Sequence, residues 1–129
     1  MRFFFYFTST LYNHPGSTTL SDKQLKTLCD IATEAHNRIQ QNFKDINPVV
    51  GVTHNMRSNG VPADAMTVDC LKSGKRIILV LHDQQPNIIH YQFSFKDKDP
   101  DSKFEAIQFN ELTVSIMYEW IKDYFSKIQ

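Results

Sequence analysis

At 129 residues, with 41% hydrophobic and 22% charged content, the chain suffices for one domain with its own core and is too apolar for wholesale disorder. Lys plus Arg and Asp plus Glu number 14 each, so the formal net charge is zero. That balance weighs against a nucleic-acid binder working through general electrostatics, which carries a basic excess.

Phe3 to Phe7 follows Arg2. The run is too short and too aromatic for a secretion signal, and falls far short of the roughly 20 apolar residues a membrane span needs. It reads as a strand over Arg2 to Tyr12, with apolar residues on both parities suggesting an interior position. With no export signal the default location is the cytoplasm. Asn13-His14-Pro15-Gly16 then forms a turn, with His14 expected to be exposed.

The first helix is expected from Ser21, with Gln24 completing a capping box and Leu20 stapled to Leu25. Leu25, Leu28, Ala32, Ala35, Ile39 and Phe43 recur at three- and four-residue steps and share one face. The helix ends near Phe43, ahead of Asn47-Pro48. Val49 to His54 is a short strand whose Gly51 suggests a bulge or a close backbone approach. Asn55 to Asp64 reads as an irregular loop, longer than the usual connection of about 4–6 residues and therefore a candidate for function.

Met66 to Phe95 reads as a three-stranded antiparallel meander. Met66, Val68 and Cys70 alternate with Thr67, Asp69 and Leu71, the period of a strand with one buried face. Gly74 allows a tight turn, and the unbroken run Ile77 to Leu81 suits a central strand covered on both faces. Asp83 to Asn87 turns again. Ile88 to Phe95 then places Ile89, Tyr91, Phe93 and Phe95 on the core side. Asp97, Asp99 and Asp101 resemble the start of a calcium loop, but Ser102 stands where that motif needs glycine and Gln108 where it needs Glu. A solvated charged loop is the reading. Phe104 to Phe109 suggests a short edge strand. A second helix should follow, with Asn110 as cap and Phe109 stapled to Val114. Met117, Ile121, Tyr124, Phe125 and Ile128 make its packing face. The expected architecture is one α+β domain over residues 1–129: a mostly antiparallel five- or six-stranded sheet with two helices on one face.

Chemistry is less legible. Cys29 and Cys70 form no CxxC pair and read as reduced core thiols. There is no nucleophile elbow, phosphate loop or metalloenzyme motif, so no cofactor or metal is expected. The catalytic candidates are His54, His82, Asp83 and His90, which could act as acid and base or bind a divalent metal if they converge. Partly exposed strand-end histidines are the plainer reading. The partner-binding candidates are Arg57 and Asn59 on the long loop, and Leu112, Ile116 and Trp120, which lie off the main stripe of the last helix. Three function classes stay open. The leading one is a non-catalytic, cytosolic protein-interaction domain: a cognate inhibitor or immunity protein, an adaptor, or a homodimer. The others are a small metal-dependent or acid–base enzyme and a small-ligand-binding domain. The expected partner is another protein or a second copy, with no membrane involvement.

Overall fold

The computed structural model describes the backbone of residues 4–7 and the whole of residues 19–127. Among the described residues six strands form one sheet in sequence order: β1 (Phe4–Phe7), β2 (Pro48–Thr53), β3 (Ala63–Cys70), β4 (Lys75–His82), β5 (Ile88–Phe95) and β6 (Glu105–Gln108). β1 and β2 are parallel and every other neighbouring pair is antiparallel. Helix α1 (Leu20–Asn42) connects the parallel pair, α2 (Asn55–Ser58) is a single turn before β3, and α3 (Val114–Ser126) ends the described chain. The expected α+β architecture is present. Among the described residues no helix is long and apolar enough to cross a membrane.

The main core lies between the sheet and the two long helices. Met66, Val68, Ile77, Leu79, Leu81 and Ile89 face Leu25, Leu28, Ala32, Ile39, Met117 and Ile121. Cys29 and Cys70 are both buried in this core. The second sheet face carries a smaller cluster of Ala63, Ala65, Ile78 and Val80, covered by Met56, Val61 and Phe104. This is why Ile77 to Leu81 is apolar without a break: alternate residues enter different cores. The segment 96–104 lacks helix and strand, yet it is tethered to the sheet. Buried Gln92 donates through Nε2 to the carbonyls of Asp101 (3.0 Å) and Lys103 (2.9 Å) and accepts from the Asp101 N–H (3.0 Å). The charged loop is thereby folded back over the sheet, with Phe104 beneath it.

Several boundaries differ from expectation. Among the described residues β1 lies at the sheet margin and pairs with β2, not in the expected interior position: apolar residues on both parities do not by themselves tell an interior strand from an edge strand. The remainder of the expected Arg2–Tyr12 strand, the turn with His14, and Ile128 lie outside the described residues. α1 is capped two positions earlier than expected. The Thr19 side chain accepts from the Asp22 N–H (3.1 Å), and the Asp22 carboxylate accepts from the Thr19 N–H (3.3 Å). Ser21 is thus inside the helix. Gly51 makes no bulge: Pro48–Thr53 pairs with Cys70–Ala65 in continuous register. β3 begins at Ala63, so the expected long loop is a helical turn, a bend at Gly60 (φ 88°) and a strand start. Asn110 belongs to a 3₁₀ turn, Phe109–Glu111, and Thr113 caps α3 instead, accepting from the Ile116 N–H (3.2 Å).

Candidate functional site

The polar candidates separate into two groups at one end of the sheet. Val80 pairs with His90, and Ala63 with His82, which puts both histidines on the second face. Their rings meet edge to face with centroids 6.3 Å apart. His54 belongs to the other group. Its Nδ1 lies 2.5 Å from Asp64 Oδ1, and Asp64 pairs with Leu81 on the helix-covered face. An ionised carboxylate only accepts, so Nδ1 carries the proton in this pair. Nε2 is buried with no hydrogen-bond partner among the described residues. The four catalytic candidates therefore do not form one constellation. Among the described residues no group of three or more His, Cys, Asp and Glu is arranged to hold a metal ion.

Arg57 organises the second group. Sequence reasoning casts it as a loop cation open to a partner; the fold gives it two carboxylates instead. Its Nε and Nη2 donate to Asp64 (3.0 and 2.9 Å), and its Nη1 and Nη2 donate to Asp83 (2.7 and 2.9 Å). The planar fork of guanidinium matches two carboxylates, which ammonium cannot do. Asp83 also accepts from the Ser21 hydroxyl of α1 (2.8 Å). Beside it the Gln24 amide donates to the Pro86 carbonyl (2.8 Å). The hydrogen bonds from Arg57, then that from Ser21, hold the Asp83 carboxyl below its ordinary range, against the opposing effect of burial. The same two carboxylates, Asp83 first, raise the Arg57 pKa further. Asp64, with a side chain 5% exposed, is thus saturated by His54 and Arg57. The network joins β2's end, α2, β3, the β4–β5 turn and the start of α1. It works as a structural clasp, with the Arg57 donors directed at Asp64 and Asp83. Asn59 is exposed but caps α2 through its backbone rather than joining the network.

A different surface opens along the margin between β5 and α3. Tyr91 stacks on Trp120 with centroids 4.4 Å apart, and Phe93 meets Trp120 edge-on at 5.7 Å and Tyr124 at 5.1 Å. The Tyr124 hydroxyl donates to the Ser94 carbonyl (2.7 Å), fixing the helix against the strand. Burial raises the pKa of Tyr91 and Tyr124, so both hydroxyls stay protonated. Phe93 is 42% exposed although it sits on the core side of its strand and touches Trp120 and Tyr124 of α3. Trp120 at this margin is half-buried, and so is Ile116, which packs against the main core. Leu112 is not: it is buried in the main core, since the 3₁₀ turn before α3 rotates it inward. No protein-family model matches the chain, and no curated protein or solved structure matches it either.

Proposed function

We propose that this is a non-catalytic protein-interaction domain that engages its partner through the aromatic margin of β5 and α3. One observation carries the reading: Phe93, Tyr91, Trp120 and Tyr124 form a continuous ring cluster that remains partly open to solvent. Aromatic side chains offer large contact area at low entropic cost, and exposed clusters of them mark binding surfaces. The fate of the polar candidates supports the same reading. Arg57, Asp64 and Asp83 spend their hydrogen-bonding capacity on each other. A cytoplasmic inhibitor or adaptor is the form that best suits the size, the zero net charge and the two reduced thiols.

The test compares wild type with Phe93→Glu in light scattering after size exclusion and in capture from native extract. A specific complex or dimer with wild type that is lost on Phe93→Glu supports the proposal. Equal capture and equal mass for both proteins would sink it. Circular dichroism of the variant controls for folding.

A further inference from the structure

We infer that the second face of the sheet carries a separate binding site for a small organic anion, a carboxylate on an apolar body. A concave space of about 330 Å³ lies over β2, β3 and β4, bordered by Val49, Gly51, Thr67, Arg76, Leu71 and Lys96. The cover provided by α2 and Phe104 sits on Ala63, Ala65, Ile78 and Val80, towards the other end of these strands. That cover reaches Ile78, the register partner of Thr67, and leaves the end beyond it, at Asp69 and Arg76, open. The volume falls at the lower end of small-molecule sites.

Three features give the space its chemistry. First, Gly51 sits mid-strand in unbroken register, opposite Thr67, with neither a bulge nor a positive φ. A mid-strand glycine weakens a strand, and here it contributes no side chain to the floor, so a ligand can lie against the backbone. Second, the acid in the space is already neutralised. Asp69 and Arg76 are register partners, with Arg76 Nε and Nη2 donating to the two carboxylate oxygens (2.6 and 2.9 Å). Among the described residues Lys96 at the rim has no such acid, and the described lining carries one net positive charge: Arg76 and Lys96 against Asp69. Third, Leu71 is 60% exposed at the same rim, and Val49 is half-buried beside it. Positive charge beside apolar surface fits an amphipathic anion; a cation would meet Lys96, and a purely apolar molecule would leave the charges uncompensated. The site stands independently of the aromatic margin, which lies on the opposite sheet face.

Amide chemical-shift titration of the full chain with octanoate, octylammonium and acetate tests this. Octanoate is expected to shift the amides of Gly51, Thr67, Leu71 and Arg76 saturably below roughly 10 mM, with octylammonium and acetate much weaker. Lys96→Glu, on an exposed loop, should weaken octanoate about tenfold. Gly51→Val should abolish its binding by filling the floor; if that variant does not fold, Lys96→Glu decides alone. Equal binding of octylammonium, shifts centred on Phe93 and Trp120, no saturable shift, or an indifferent Lys96→Glu would each overturn the inference.

Discussion

Lys75 shows how far a side chain's role can depart from its local sequence. It follows Gly74 in a turn, where a lysine is ordinarily solvated, yet only 1% of it is exposed. Its ammonium donates to the carbonyls of Tyr124 (3.0 Å) and Lys127 (2.8 Å) and lies 5.1 Å from the centre of the Tyr124 ring. These carbonyls belong to the open C-terminal end of α3, where the helix dipole favours a cation. Lys75→Met keeps most of the stem and removes the donors; the expected loss is about 1–3 kcal/mol in urea unfolding. Lys75→Ala also leaves a cavity and should lose more, about 2–5 kcal/mol. Equal stability of wild type and Lys75→Met would show that water replaces the ammonium at no cost. Asp64 makes a second case. Asp64→Ala removes the acceptor of His54 and one of the two carboxylates of Arg57, which keeps Asp83, and the expected loss in urea unfolding is about 1–3 kcal/mol. Arg57→Ala, by contrast, takes the guanidinium from both Asp64 and Asp83 and leaves the buried Asp64 carboxylate with its His54 bond alone, so it should cost more than Asp64→Ala in the same assay.

At the level of elements, the legible parts are those whose signal is local. The meander shows in the period-two pattern of Met66 to Cys70 and in the turn glycine Gly74 (φ 77°), and β5 runs over Ile88–Phe95 as the alternation predicts. The buried stripe of α1, from Leu25 to Ile39, follows the three- and four-residue spacing. Caps were less legible because several polar residues compete within two or three positions. Thr19/Asp22 and Ser21/Gln24 are both chemically competent, and a tertiary contact separates them: Ser21 is needed inside α1 to reach Asp83. The clasp itself was invisible, since Arg57 joins carboxylates 7 and 26 positions away through the fold alone. Thr19→Ala should therefore destabilise the protein by about 1 kcal/mol, and thermal unfolding followed by circular dichroism checks it. Ser21→Ala should leave the capping box in place and act only through Asp83. A Ser21→Ala cost exceeding that of Thr19→Ala would reverse this assignment of the cap.

Across the whole molecule, the clasp fastens the one end of the sheet where α1, α2 and the β4–β5 turn come together. Its pH dependence follows from Asp83, whose carboxyl is held below the ordinary range mainly by Arg57 and then by Ser21. A carboxyl with a folded pKa below its unfolded value, near 3.9, stabilises the fold fully above that unfolded value. The contribution is lost as pH falls through the lowered folded value, when the folded carboxylate also takes up its proton. Asp83 and Arg57 are both about one-third exposed, so solvent screens the pair and the stabilisation is modest, about 1 kcal/mol. Urea unfolding at pH 7, 5 and 3 should accordingly place Asp83→Asn below wild type by about that amount at pH 7. The gap should persist at pH 5 and narrow towards pH 3 and below, as wild type loses what the variant never had. A gap independent of pH would mean that Asp83 acts through neutral hydrogen bonding in the turn. A gap that widens in acid would contradict the sign derived from Arg57. In either case the elements meeting at this end would have to be held by something other than the charge of Asp83.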